Sequence, residues 1–554
     1  MSEASRIVPV RHQPPLPADR LIVRDTPDDE AVPMDVVFVG GGPAGLAGAI
    51  ELAKLVKADN ENGGGIGDIE IAVLEKASGL GEHTLSGAVI NPGPFRELFP
   101  DLADDDFPFR APVQEERVYL MRPGSSIRIP TPPTMKNHGN YIASLCEVVR
   151  WMGEKAEEAG VNVFTGFPAE SLLVEGDTVI GVRTTPTGLN RDGSHGGAFQ
   201  PPTDITARVV ALSEGTRGTL AQAFFDWQQV RSENPQIYAL GVKEIWETKK
   251  PLDAIIHTMG WPLPSDAFGG SFMYPLEPNV VALGLVVGLD YGNARLDVHA
   301  LLQQMKTHPL FREYLEGGEM VEWGAKTIPE GGYYAIPARR SGNGIVVLGD
   351  SAGYVEVASL KGVHYAVQSG ILAARAIFDG LKKGDVSAGT LAAYDGAVNN
   401  SFIVDDLRKR RNMRLAFKSG FYMGGAKSLL MTVTNGAFPG GRIESEPDAA
   451  EARYLGEAPA YVPDGKLTFS KLDAVFKAGN ATRDDIPSHL IVGEDISPEM
   501  ADFYAHMCPA GVYERDGDRL TVNAPNCVDC KATDVLGPRW TPREGGSGPQ
   551  YKRM

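Results

Sequence analysis

The sequence predicts a mixed α/β and α+β chain: a discontinuous Rossmann-like domain, an antiparallel domain inserted into it, and a C-terminal domain carrying cysteines. Three observations lead there. A strand, glycine turn and helix pattern at residues 34–56 returns at residues 344–380, the periodicity of a dinucleotide-type sheet. Between the two, residues 229–333 alternate short apolar runs with Gly and Pro turns, as antiparallel strands do. Three of the four cysteines lie in the last 47 residues, a concentration that points to a metal or redox site.

At 554 residues the chain is longer than one core organises, so two to three domains are expected. The 53 basic and 71 acidic residues give a net charge of -18. That balance argues against a nucleic-acid partner and against attraction to anionic lipid by charge alone. Four cysteines are too few for a disulfide framework in a chain this long. Residues 1–33 show no apolar signal core and read as an exposed arm. No uncharged apolar run of about 18 residues occurs, so any contact with a bilayer is expected along its surface.

Met34 to Val39 reads as a buried strand, Leu46 to Val56 as a helix, and Ile69 to Glu75 as a second strand. The loop between helix and second strand, Asp59 to Asp68, reads as a flexible glycine-rich insertion. Tyr141 to Ala159 reads as a helix carrying Cys146 as a buried structural thiol, and Val161 to Val182 as short strands. After about residue 400 the chain turns helical and locally basic, then loop-rich to its end.

Gly40-Gly41-Gly42-Pro43-Ala44-Gly45 fits GxGxxG between strand and helix. Gly40 permits the tight turn, Gly42 the approach of a pyrophosphate, and Gly45 close helix–strand packing. The helix N-terminus then faces the diphosphate. Glu75, ending the second strand, is placed to accept from the adenosine ribose hydroxyls. A second turn, Gly349-Asp350-Ser351-Ala352-Gly353, resembles the GD motif of two-domain flavoproteins and assigns Asp350 to the ribityl chain, which selects FAD over NAD. Glu214-Gly215-Thr216-Arg217-Gly218 resembles the turn that closes the flavin site in hydroxylase-like flavoproteins. The helix beginning near Gly362 would aim its N-terminus at the flavin ring, favouring negative charge there.

Cys508, Cys527 and Cys530 are spaced C-x18-C-x2-C. Thiolates gather this way around iron-sulfur centres; zinc and buried structural cysteines are the alternatives, and a flavin site favours the redox cluster.

With MCPAGVYE, NAPNCVDCKATD and PREGGSGPQY, the chain resembles the electron-transfer flavoprotein:ubiquinone oxidoreductase family. The likeness continues through EKASGLGEHTLSGAVINP, NHGNYIASL, GWPLPSDAFGGSFMYPLE, VVGLDYGNARL and KTHPLFREYLEGG, covering almost the whole chain. It implies FAD, held also by Ser86 and Gly87, and a 4Fe-4S cluster in a ferredoxin-like iron-sulfur domain. Electron-transfer flavoprotein would be the donor and ubiquinone the acceptor, with no catalytic side chain beyond the cofactors.

The resemblance also implies a quinone site at Phe268-Gly269-Gly270, with Phe268 where the family usually shows tyrosine. The implied domains are an arm at 1–33; an FAD domain at 34–118, 139–228 and 334–400; a ubiquinone and membrane-contact domain at 119–138 and 229–333; a helical membrane-contact segment at 401–450; and an iron-sulfur domain at 451–554. The expected location is peripheral, on the cytoplasmic face of a bacterial inner membrane.

Two departures from the family pattern stand out. Thr533 occupies the place of the fourth cysteine. Thr533, Asp534 or water would complete a cubane; a three-iron cluster and an absent cluster are the alternatives. Beside the flavin, Glu356 replaces an asparagine, and Val363 and Tyr365 replace two threonines.

For the bilayer, Arg408, Lys409, Arg410, Arg411, Arg414 and Lys418 precede Phe421-Tyr422-Met423, and residues 428–441 carry no charge. A basic cluster beside an apolar segment reads as a surface-lying helix. The loop Ile127 to Met135 offers a second apolar contact. Two rival functions are a flavin-dependent reductase or hydroxylase of a hydrophobic molecule, and a non-catalytic flavoprotein that has lost its cluster.

Overall fold

The computed structural model describes residues 6–87, 89–517 and 519–554, with Phe421 described by its backbone alone. The first elements are β1 (Val32–Val39), α1 (Pro43–Glu61), β2 (Ile71–Glu75), β3 (Glu116–Arg122) and β4 (Ser125–Ile129). Next come α2 (Leu145–Glu158), β5 (Asn162–Thr165), β6 (Ala169–Glu175), β7 (Thr178–Thr184) and β8 (Asp204–Leu212). The inserted region supplies β9 (Tyr238–Glu247), β10 (Ile255–Gly260), β11 (Gly269–Glu277), β12 (Val280–Gly288), α3 (Val298–Lys306) and β13 (Glu319–Pro329). Then follow β14 (Ile345–Val347), α4 (Val363–Lys383) and α5 (Phe421–Val433).

One sheet runs β5-β2-β1-β8-β7-β6, with β14 beside β8. Its β5, β2, β1, β8 and β14 are parallel neighbours, so their ends deliver the glycine turn, Glu75, Glu214 and Asp350 to one edge. That edge is where open α/β sheets bind ligands. The strands are valine- and alanine-rich because both faces are covered; Val36, Val37, Phe38, Val209 and Val210 are fully buried. Helices α1 and α4 cross backbone to backbone. A Cβ on Gly370 would lie 2.3 Å from the Ala44 carbonyl oxygen, and one on Gly48 would lie 2.5 Å from the Phe38 ring.

The inserted sheet runs β13-β9-β12-β11-β10-β3-β4, antiparallel except for the β10–β3 pair. Its core is continuous with that of the C-terminal segment, in which Cys508, Cys527, Cys530 and Trp540 pack with Trp323 and Tyr551. Helix α3 interrupts the run of strands expected from sequence. A fully buried ion pair holds it to the sheet, Lys306 Nζ to Glu244 Oε2 at 2.9 Å.

The N-terminal segment differs from the exposed arm expected. Residues 1–5 lie outside the described residues, but Arg6–Ile7 pairs with Arg453–Tyr454, and Ile22–Val23 joins the main sheet beside β6. Ile7, Leu21 and Ile22 are buried. These apolar residues stand singly or in pairs among charges, too sparse to show a period.

Because α1 carries the glycine turn, its seat on α4 sets the site. Gly370→Leu should cost on the order of 1–3 kcal/mol through overpacking, read as a lower thermal midpoint, and should lower the bound-flavin content.

Candidate functional site

A cavity of about 340 Å³ opens between the parallel sheet, the inserted sheet and the C-terminal segment. Among the sequence-predicted residues, Gly40, Gly42, Glu75, Ser86, Gly87, Glu214, Gly215, Asp350 and Gly362 line it. Gly40 has φ +111°, and a Cβ there would lie 2.4 Å from the Ser213 carbonyl oxygen; around Gly42 the space is open. Gly45 serves packing, since its Cβ would meet the Gly40 carbonyl oxygen at 2.2 Å. The first turn of α1 has no side-chain cap among the described residues, which leaves its N–H groups for an anion.

Glu75 is set by its own loop: its carboxylate accepts from Gly41 N (3.0 Å) and Ala77 N (2.8 Å). Asp350 is pushed up to about 6 by burial, which the positive charge of Lys326 opposes. Glu214 also does a local task, accepting from Leu220 N and Ala221 N to cap the helix after it. Gly349 packs on Ala44 and Ala366 behind the turn instead of lining the cavity.

Arg217 departs from the expectation that it closes the flavin site. It is in the left-handed region, φ 53°, and its guanidinium turns to Asp534, with Nε 2.8 Å from Oδ2. An ionised carboxylate at the start of the C-terminal helix Ala532–Leu536 claims it. Phe268, Gly269 and Gly270 also lie away from the cavity lining. Phe268 packs 4.1 Å from the Arg414 guanidinium and 5.2 Å from the Phe417 ring. A Cβ on Gly269 would lie 2.1 Å from the Val286 carbonyl oxygen, so this glycine is required by close strand pairing.

The cavity also has residues that sequence reasoning missed. His257 and Tyr274 come from the inserted sheet, their rings 5.4 Å apart. Neither His257 nitrogen has a partner among the described residues, and burial, with Lys361 adding to it, lowers its pKa to about 3. It is a neutral imidazole facing the cavity. Lys76, Lys243, Lys326, Lys361 and Lys531 line it too, drawn from segments too far apart in sequence to form a motif.

Cys508, Cys527, Cys530, Tyr513 and Thr533 line a smaller cavity in the C-terminal domain. Burial pushes the Cys527 thiol up to about 12 and raises Cys508 and Cys530 as well. Such thiols become thiolates only with positive charge brought among them, which iron supplies. Cys146 is elsewhere, buried in α2 with Sγ 3.1 Å from the Thr84 carbonyl oxygen. Asp534 is outside the cavity lining and committed to Arg217 and to Trp540 N. His489, Cys527 and Asp529 also bring ligand atoms within 4.8 Å of one another, but Asp529 is held by Arg543 and Lys76.

A dinucleotide-type sheet with a second glycine turn at its ligand edge, a large cavity there and a three-thiol pocket beside it define a flavoprotein oxidoreductase with an iron-sulfur domain. Residues 238–328 match the model described as ETF-QO, ubiquinone-binding, and residues 465–552 the model described as electron transfer flavoprotein-ubiquinone oxidoreductase, 4Fe-4S. Over 95% of its length the chain is 39% identical to the mitochondrial electron transfer flavoprotein-ubiquinone oxidoreductase of Oryza sativa subsp. japonica, covering 94% of that protein. The human mitochondrial protein of that name is 37% identical, with 94% of this chain and 89% of that protein covered. A probable electron transfer flavoprotein-ubiquinone oxidoreductase of Acinetobacter baylyi is 36% identical, with 96% and 100% covered. The chain belongs to the electron transfer flavoprotein-ubiquinone oxidoreductase family. A geranylgeranyl bacteriochlorophyll reductase-like protein of Thermoplasma acidophilum shares the fold at 18% identity and TM-score 0.55, with 73% of this chain and 92% of that one covered.

The donor set distinguishes the cysteines. Cys527→Ala should abolish stoichiometric iron and acid-labile sulfide in anaerobically purified protein, whereas Cys146→Ala should leave both at the wild-type count.

Proposed function

We propose a division of labour among this chain's residues for the family's reaction, in which the chain takes electrons from reduced electron transfer flavoprotein and reduces ubiquinone. Bound FAD and an iron-sulfur cluster supply the electron storage and transfer. The observation that carries the assignment is the adjacency of the two sites. Cys530 lines the three-thiol pocket and Lys531, the next residue, lines the large cavity.

In this reading the uncapped first turn of α1 and Gly42 receive the diphosphate, Glu75 the ribose hydroxyls and Asp350 the ribityl chain. The N-terminus of α4 at Gly362, together with His257, Tyr274, Ser86 and Gly87, surrounds the ring system. Cys508, Cys527 and Cys530 would hold the cluster, and Thr533 lines the same pocket. Water is kept out by apolar walls, among them Val242, Phe272 and Val286, and a dry wall strengthens every charge interaction inside.

Ubiquinone is hydrophobic, so its entry is expected from a bilayer. No helix among the described residues is long and apolar enough to cross a membrane, but α5 presents Tyr422 (84% exposed), Leu429 (60%) and Val433 (76%) to the outside. An exposed apolar set of this kind marks an interaction face. Phe268 touches Phe417, just before α5, which supports a quinone entry between the two. Ile127, on edge strand β4, is 52% exposed.

The basic cluster contributes less than its sequence suggests. Arg414 is buried and paired with Asp290 and Glu330, Lys418 pairs with Glu451, and Lys409 with Asp405 and Asp406. Membrane contact in this reading rests on apolar area. The proposed location is peripheral, on the cytoplasmic face of a bacterial inner membrane; a bacterial relative matches the chain over almost its full length.

Purified protein given reduced electron transfer flavoprotein should reduce a ubiquinone analogue, and reduction driven by NAD(P)H alone would instead support the reductase reading. Serine at Tyr422, Leu429 and Val433 together should weaken vesicle binding by about tenfold or more, from roughly 25 cal/mol per Å² of apolar area lost. Co-sedimentation with neutral phosphatidylcholine vesicles reads this directly.

A further inference from the structure

Five lysines and five carboxylates line the flavin cavity, but Glu330 and Glu356 pair with Arg414 and Arg410 instead of with these lysines. Lys76 follows β2, Lys326 lies on β13 and Lys531 follows Cys530, so three separate segments bring three lysines to the cavity that the glycine turn also lines. They share two neighbours. Lys326 Nζ donates to the Asp529 carbonyl oxygen at 3.2 Å, and Lys76 Nζ pairs with the Asp529 carboxylate. Lys531 and Lys76 lie over the Trp540 ring, 3.2 and 4.8 Å from its centroid.

Only Lys76 has a carboxylate within ion-pairing distance among the described residues. Lys326 has a carbonyl oxygen, and Lys531 has the Trp540 face and the Thr219 hydroxyl at 3.4 Å. Burial lowers Lys326 to about 8, with the charge of Lys76 adding to the effect. Isolated ammonium groups held out of water cost several kcal/mol each, and a fold keeps them where an anion completes the pairing. Lys326 lines the same cavity as Glu75 and Asp350, the two carboxylates assigned to the two ends of the diphosphate, and acts electrostatically on both.

We propose that Lys326, Lys531 and Lys76 are the counter-charge for the FAD diphosphate, so that the cysteine-bearing segment closes the flavin site and the cofactor is retained only when that segment is docked. The inference rests on FAD occupying this cavity. The diphosphate offers two negative charges and several acceptor oxygens, which matches three converging donors. The glycine turn serves one side of the diphosphate with backbone N–H groups, and the lysines serve the other.

The test is flavin affinity, measured by isothermal titration of the full chain stripped of FAD, with iron counted on each sample. Ligands are FAD, ADP and riboflavin; proteins are wild type, Lys326→Met, Lys326→Arg and Lys531→Met. The expected result is a loss of about tenfold or more for FAD and ADP in each Met variant, the scale of a charge-assisted hydrogen bond. Riboflavin affinity should be unchanged, and Lys326→Arg should retain most of the wild-type affinity. Equal losses for riboflavin, or FAD affinity unchanged in Lys326→Met, would overturn the proposal. If Lys531→Met loses iron or unfolds, Lys326→Met and Lys326→Arg decide, compared at equal iron content because Lys326 touches Asp529 between the cysteines. Failure of wild type to bind FAD would sink the flavin reading itself, an outcome separate from the others.

Discussion

The carboxylate of Asp529 is the contact on which the arrangement of both sites depends. It is 1% exposed and sits between two cysteines, yet it serves all three parts of the chain. Oδ1 accepts from Trp540 Nε1 and Arg543 NH2, each at 3.0 Å, within the C-terminal domain. Oδ2 pairs with Lys76 from the parallel sheet, and the backbone carbonyl accepts from Lys326 of the inserted sheet. Burial opposes its ionisation, but Arg543 and Lys76 hold it well below the usual carboxylate range. Removing one partner of a buried charged network costs about 3–5 kcal/mol because the others are left uncompensated. Asp529 also takes φ 54°, a conformation that aspartate tolerates better than most residues. The turn that carries Cys527 and Cys530 is thus held by the same residue that binds Lys76 and Lys326 of the flavin cavity.

Local features were legible in the sequence. The glycine turn, Glu75, Asp350 and the Cys527–Cys530 pair each sit within one strand-to-helix unit or one turn, so their placement follows from a few consecutive residues. The alternation in residues 229–333 likewise announced the inserted sheet. What the sequence concealed is assembled across distance. Lys76, Lys326 and Lys531 are unremarkable lysines until the fold converges them, and His257 reads as an ordinary strand residue until both its nitrogens are found unpartnered. Arg217 is the complementary case. Its turn resembles a flavin-closing motif, but Asp534 arrives from the far end of the chain and takes the guanidinium. Part of the basic run before α5 is likewise taken up by acids from elsewhere, Arg414 by Asp290 and Glu330 and Lys418 by Glu451.

Glu356, Val363 and Tyr365 alter the flavin surroundings without opening them. Glu356 turns back on its own loop, accepting from Ala358 N and Ser359 N, with Arg410 at 3.5 Å. The Tyr365 hydroxyl reaches outward to Asp406 at 3.3 Å. Val363 brings no hydroxyl to this wall, which Lys361 and the inserted-sheet pair His257 and Tyr274 also line.

The cluster site turns on how Thr533 is satisfied. Its hydroxyl donates to the Pro538 carbonyl oxygen at 3.2 Å, so the Tyr513 hydroxyl, 2.6 Å away, is the donor to it. The proton and one lone pair are therefore already engaged, and what faces the pocket is at most a neutral hydroxyl oxygen. Asp534, the stronger oxygen donor, is removed by Arg217, Arg539 and the Trp540 N–H. Breaking those contacts to reach iron would strand a buried guanidinium. A cluster in this pocket would then take its anionic ligation from the three thiolates, with the neutral Thr533 hydroxyl lining the same pocket. A cluster held this way has less negative charge from its ligands than one held by four cysteines, and lower ligand charge raises a reduction potential. Among its neighbours the charge of Asp529, 3.8 Å from Cys527 Sγ, is set against Arg543 and Lys76, so the loss of a fourth thiolate would be the larger influence on the potential.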